Sequence, residues 1–119
     1  MPLPPGATSH HTVWVQAGPG ARPVPARYAV DGERLVAFGD DGLAGIPDGS
    51  RVTITVHEIA GGPALGSSGA VVRTLEPDAV TTNVLAELLA HVPLGRTTEE
   101  VRERLEWHRR HRRIVEIVP

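Results

Sequence analysis

The clearest structural signal in this sequence is Arg51-Val-Thr-Ile-Thr-Val56, where apolar and polar side chains alternate. Successive side chains of an extended strand point to opposite faces, so the valines and the isoleucine share one face and the threonines the other. One face is therefore expected to pack on a core while the other meets solvent. This stretch predicts a β-strand in the middle of a β-rich region.

Further strands are predicted on both sides of this stretch. They cover residues 12–16, 24–30, 35–38 and 70–75, and the glycine- and serine-rich residues 66–69 form a connection before the last one. Asp31-Gly32 lies between two apolar runs, which is a strong hairpin signal, and Pro23 and Pro25 suit an edge strand. Strands joined by short turns predict an antiparallel barrel or sandwich rather than parallel βαβ units.

After residue 75 the apolar spacing becomes helical. Pro77 and Asp78 are expected to begin a first helix and Pro93 to end it, with an apolar face formed by Val80, Val84, Leu85, Leu88 and Val92. Thr97-x-x-Glu100 has the form of a capping box and predicts the start of a second helix. Residues 114–118 predict a closing strand. We expect an irregular arm over residues 1–11 and a single domain over residues 12–119.

The composition excludes several kinds of chemistry. The chain has 119 residues, a formal net charge of −2 and no cysteine, which excludes disulfides and thiolate metal sites and favours a cytoplasmic location. All twelve basic residues are arginine, so lysine Schiff-base chemistry is excluded. No apolar run reaches the roughly 18 residues that a membrane-spanning helix needs, so no membrane contact is predicted. The four aromatic residues are few for a protein that stacks nucleic-acid bases.

The second predicted helix ends in His108-Arg-Arg-His-Arg-Arg113, which leaves three interpretations open. The arginines balance the helix dipole and the preceding glutamates, or one or two of them contact a phosphate or cofactor, or the run binds nucleic acid. Residues 97–119 hold six arginines against five acidic residues, which disfavours the nucleic-acid interpretation. The arginines also disfavour a metal site at His108 and His111. No pattern assigns a catalytic residue.

A more specific signal is the order of several segments. Arg22-Pro-Val-Pro-Ala-Arg27 precedes the Asp-Gly hairpin, then come Arg34-Leu-Val-Ala-Phe38-Gly-Asp40, a loop, and Asp48-Gly-Ser-Arg-Val-Thr-Ile54. This order resembles the pyridoxamine 5′-phosphate oxidase-like family, the split barrels that bind flavin mononucleotide (FMN). The resemblance extends over residues 13–118 and rests on strand order and spacing.

The resemblance implies a mainly β protein with two helices (α+β), built as a six-stranded antiparallel split β-barrel. It also implies a homodimer that holds FMN in a groove between subunits, where the flavin performs hydride or electron transfer on an unknown small-molecule substrate. By this resemblance Arg22 contacts the flavin phosphate, and Arg27 contacts the flavin or a substrate anion. Arg51 and Arg73 are weaker candidates for the same groove, and Trp107 or Arg109 reaches across the dimer to the isoalloxazine ring.

One loop departs from the family pattern. Family members that bind FMN usually carry basic residues after the third strand, whereas residues 40–48 hold three carboxylates and no basic residue. Carboxylates repel a phosphate dianion. This loop therefore favours an alternative, a non-catalytic dimeric ligand-binding or interaction protein on the same barrel that has lost the flavin site. A deazaflavin in place of FMN is a further possibility.

Overall fold

The computed structural model describes residues 3–40, 42–58 and 62–119. The strands are β1 (Thr12–Gln16), β2 (Val24–Arg27), β3 (Ala29–Asp31), β4 (Arg34–Phe38), β5 (Arg51–His57), β6 (Ala64–Leu75) and β7 (Ile114–Val118). The helices are α1 (Thr82–Leu88) and α2 (Thr98–His111), and short 3-10 turns cover Ala7–Ser9 and Pro77–Ala79. Neither helix in this described part of the chain is long and apolar enough to cross a membrane.

The strands form one antiparallel sheet in the order β2-β1-β5-β6-β7-β4-β3. The two edge strands, β2 and β3, are neighbours in the chain with only Tyr28 between them, so the sheet curls until its edges lie at a common seam. The α+β class with a mainly antiparallel sheet is thus confirmed. The six-stranded barrel is wrong, because the described sheet has seven strands and is not closed.

The extra strand arises where the chain changes partner. Residues 24–30 were expected as one strand, but β2 pairs with β1 whereas β3 pairs with β4. Between them the Tyr28 N–H donates to the His11 carbonyl at 2.9 Å, and the Tyr28 side chain is buried. The phenol donates to the Ala7 carbonyl at 2.6 Å, which ties the N-terminal segment to the seam. Residues 1 and 2 of the expected arm lie outside the described residues.

The strand β6 was also predicted too short. Residues 66–69 belong to it instead of forming a connection, and they pair with β5 through partners such as Thr55–Ser67 and Thr53–Gly69. Glycine and serine have weak strand preference, but Gly66 has a packing role. A Cβ on Gly66 would lie 2.5 Å from the Cδ atom of Pro5, so the N-terminal segment packs where this side chain is missing.

The helices begin at threonine caps. The first helix starts at Thr82, later than expected, because Pro77–Ala79 forms a 3-10 turn and the Thr81 hydroxyl accepts from the Val84 N–H at 3.2 Å. The predicted start of the second helix is confirmed, since the Thr97 hydroxyl accepts from the Glu100 N–H at 3.1 Å. The other half of the capping box differs: the Glu100 carboxylate accepts from the Arg96 N–H.

Two apolar clusters use opposite faces of the sheet. The inner face of the curl buries residues such as Val13, Leu35, Ile54 and Ile117, together with Leu43 from the loop before β5. On the outer face, both helices pack on β3, β4 and the start of β7 through Ala29, Val36, Phe38, Ile114, Leu85, Leu88 and Leu105. No residue of β1 or β5 belongs to this second cluster. The outer face of these strands is therefore left without a helical cover.

Candidate functional site

A hollow on this uncovered face contains two predicted site residues. It measures about 550 Å³ and is lined by Arg51, Val52, Gly69, Ala70, Val71, Arg73, Glu116, Val118 and Pro119. Arg51 pairs in register with Val71, and Arg73 lies two residues further along β6 on the same face. The antiparallel pairing of β5 with β6 thus brings the two exposed arginines to one groove, which we call the arginine groove.

The charged side chains that line the arginine groove are two guanidinium groups and one carboxylate, so their net charge is positive. The carboxylate of Glu116 accepts from Arg34 Nη1 at 2.8 Å, and Arg34 also donates to Asp31 at 2.7 Å. None of the ion pairs within the described residues involves Arg51 or Arg73. Two guanidinium groups beside an apolar floor match a ligand that joins an anion to an apolar ring.

Two further hollows continue along β5. The first, about 350 Å³, shares Arg51 and Val52 with the arginine groove and adds Thr53, Gln16 and residues 17–19. The exposed Arg22 lies in the loop that contains residues 17–19, so the structure places it at the same end of the sheet as Arg51. The second, about 290 Å³, is lined by Trp14, Pro23, Thr55 and His57.

Arg27 lies at the opposite end of β1, away from the arginine groove. It pairs with Thr12, and its Nε atom donates to the Leu88 carbonyl at the end of α1 at 3.3 Å. It lines a narrow cleft of about 40 Å³ that also contains His91 and Arg112. The structure therefore does not bring Arg27 together with Arg51 and Arg73.

The two candidates on α2 point in different directions. Arg109 is 6% exposed, and all three of its guanidinium nitrogens donate within the chain. Their acceptors are Glu106 at 3.0 Å, the carbonyls of Pro77 at 2.7 Å and of Val80, and the Thr82 hydroxyl at 3.4 Å. Arg109 thereby anchors α2 to the segment before α1. Trp107 is 53% exposed on the other side of the helix, where its ring stacks on His111 with centroids 4.9 Å apart.

The acidic loop is less repulsive than its sequence suggests. Asp40 accepts from Arg112 Nε and Nη2 at 2.9–3.2 Å, and these hydrogen bonds lower the pKa of its carboxyl group. The Asp48 carboxylate accepts from the Thr74 N–H, and the pKa of Asp48 is lowered first by Thr74 and then by the nearby Arg113 and Arg73. Both carboxylates thus have partners within the fold. The third, Asp41, lies outside the described residues.

Sequence reasoning missed Trp14 and Thr55, which line the third hollow together with His57. The Trp14 and His57 rings are nearly perpendicular, with centroids 6.4 Å apart. The available signal was strand alternation, since residues 55 and 57 share the polar face of β5 with Arg51. No group of three or more histidine or carboxylate side chains in the described ranges is arranged to hold a metal ion.

Comparisons with known proteins identify no relative, because the chain matches no protein-family model, no curated protein and no solved structure. The resemblance to the pyridoxamine 5′-phosphate oxidase-like family therefore rests on the order and spacing of the segments that carry it.

Proposed function

We propose that this chain is a flavin-binding, oxidoreductase-like protein of the pyridoxamine 5′-phosphate oxidase-like class, and that FMN binds over the arginine groove. The observation that carries the proposal is the convergence of Arg51 and Arg73, without ion-pair partners in the described chain, beside an apolar floor. Guanidinium groups match phosphate oxygens bidentately, and Val71 and Val118 form the apolar floor beside the two arginines.

The open shape of the groove supports the homodimer in this proposal. The hollow lies on a sheet face that neither helix covers, and Val118 is 37% exposed there. A second copy that packed on this face would bury the valines and exclude water from the ligand, which strengthens the arginine–phosphate interaction. When bound, FMN supplies the hydride or electron transfer, and the chain positions it.

Titration with FMN, followed by flavin fluorescence, tests the proposal. We expect saturable binding that weakens about tenfold in Arg51→Ala and in Arg73→Ala, because each change removes charge-assisted hydrogen bonds to phosphate. Arg102→Ala, which removes an exposed arginine from α2, is the matched control and should bind as the wild type does. Equal FMN affinity in all four proteins, or no binding at all, would contradict the proposal.

A second candidate is a non-catalytic dimeric ligand-binding or interaction protein on the same scaffold. The exposed Val118 at the edge of the groove favours it, because an apolar surface also serves protein association. This candidate predicts a colourless protein that sediments as a dimer without flavin.

For either candidate we propose a cytoplasmic location, which follows from the lack of cysteine and is testable by cell fractionation.

A further inference from the structure

The outward side chains of β5 change in chemistry along the strand. Arg51 and Thr53 are exposed and Thr55 and His57 half-buried, while Val52, Ile54 and Val56 point into the core. A strand rises about 3.3 Å per residue, so the backbone positions of Arg51 and Thr55 lie about 13 Å apart. The outer face therefore presents a cation at one end and a different environment at the other.

The middle of this face is neutral and open. Thr53 pairs with Gln16 of β1 on one side and with Gly69 of β6 on the other. A Cβ on Gly69 would meet no atom within 4 Å, so the surface above this position is empty. One step further, the hydroxyls of Thr55 and Ser67 lie 3.2 Å apart. These amide and hydroxyl groups are suited to a ligand segment that carries hydroxyls.

The far end of the face forms an aromatic corner. Trp14 pairs with Thr55, its indole is nearly perpendicular to the His57 ring, and Pro23 forms a third wall. The Nδ1 atom of His57 lies 2.9 Å from the Gly62 carbonyl, which only accepts, so Nδ1 carries the hydrogen. In the neutral ring Nε2 is then an acceptor. The corner thus offers aromatic surfaces beside one hydrogen-bond acceptor.

We propose that the ligand lies lengthwise along β5, with its phosphate at Arg51 and Arg73, a hydroxylated linker over Thr53 and Gly69, and its ring against Trp14. This inference rests on the proposed function and extends it, since it makes Trp14 the residue that selects the ring. The ligand class is a phosphorylated ring compound whose two ends are about 13 Å apart along a polyhydroxylated linker. A short phosphate ester would occupy only the arginine end.

Isothermal titration of three probes separates the two ends. FMN carries ring, linker and phosphate, riboflavin lacks the phosphate, and ribose 5-phosphate lacks the ring. We expect Trp14→Ala to weaken FMN and riboflavin roughly tenfold and to leave ribose 5-phosphate unchanged, because an aromatic side chain contributes that much to stacking on a planar ring. The double variant Arg51→Ala/Arg73→Ala should weaken FMN and ribose 5-phosphate and leave riboflavin unchanged. Arg102→Ala, which removes an exposed side chain from α2, is the control and should change none of them.

A second variant tests the middle of the path without removing a packed ring. Gly69→Val introduces a side chain into empty space above Thr53, and valine suits a strand, so the fold should be retained. We expect it to weaken FMN at least tenfold by obstructing the linker, while a melting curve reports an intact fold.

The outcomes distinguish this inference from the proposed function. If the arginine variants lose FMN affinity while Trp14→Ala and Gly69→Val bind it as the wild type does, the phosphate site stands and the lengthwise placement is wrong. If FMN affinity is the same in every variant, or FMN does not bind, both the proposed function and the placement are wrong.

Discussion

Replacing Arg109 by methionine tests whether this arginine holds the fold together or contacts a cofactor. Methionine keeps an unbranched apolar stem and removes every donor. The half-buried carbonyl of Pro77 and the buried carbonyl of Val80 therefore lose the hydrogen bonds from Arg109. A hydrogen bond from a charged group contributes about 1.5–3 kcal/mol. The hydrogen bond to the Thr82 hydroxyl is long, at 3.4 Å, and the ion pair with Glu106 is half-exposed, so both add little to the free energy of unfolding. We therefore expect the free energy of unfolding to fall by about 3–5 kcal/mol.

Urea unfolding followed by circular dichroism measures this change, and a melting curve should show a loss of roughly 10–20 °C. The matched control is Arg102→Met, an exposed position on the same helix, where we expect a change within about 0.5 kcal/mol. An Arg109→Met protein that is as stable as the wild type would refute the anchoring role. If that stable protein also lost FMN affinity, Arg109 would be the cofactor contact that the resemblance implies.

Three further predictions concern ionisation and packing. Burial raises the pKa of Tyr28 to about 12, so absorbance at about 295 nm should show this single tyrosine ionising at a higher pH than a free tyrosine. Above the usual pKa of 10.0 the unfolded chain loses the proton before the folded one does, so the free energy of unfolding should fall as the pH rises. Burial, and then the nearby Arg112, lowers the pKa of His108 below 6.5. The unfolded chain therefore binds the proton first as the pH drops through 6.5, and the free energy of unfolding should fall. Urea unfolding at about pH 7.5 and about pH 5.5 measures this fall, which His108→Gln should lessen. Gly66→Ala should destabilise the chain by about 1–3 kcal/mol because its Cβ would displace the N-terminal segment, whereas Gly69→Ala, with open space above it, should change stability little in the same assay.

The elements that sequence reasoning found are those with local causes. The alternation in residues 51–56, the Thr97 cap and the closing strand each follow from neighbouring residues, and the structure has them where they were expected. The break at Tyr28 and the strand through Gly66 have distant causes. At Tyr28 the chain leaves β1 for β4, and at Gly66 a segment some sixty residues earlier fills the empty place. The spacing of apolar residues along the sequence predicts neither the change of partner at Tyr28 nor the packing at Gly66.

The candidate site shows the same division. The resemblance named Arg51 and Arg73 as weaker candidates for one groove, and the physical cause that brings them together is the register of β5 with β6. For Arg109 a local signal existed, because Val101, Leu105 and Arg109 recur at a spacing of four and therefore share the core-facing side of α2. Trp107, two positions from Leu105, falls on the solvent side for the same reason. The partners of Asp40 and Asp48 are distant in sequence, so the acidic loop looked more repulsive than it is.

The seam at Tyr28 has a consequence for aggregation. A free sheet edge exposes unpaired N–H and C=O groups that recruit strands from other molecules. Here both edge strands are short, with four residues in β2 and three in β3. They meet at one seam, where the buried Tyr28 separates them in the chain. Pro25 also removes one N–H donor from β2. The curl thus leaves little edge for strand recruitment, even though β2 and β3 are not paired with each other in the described part of the chain.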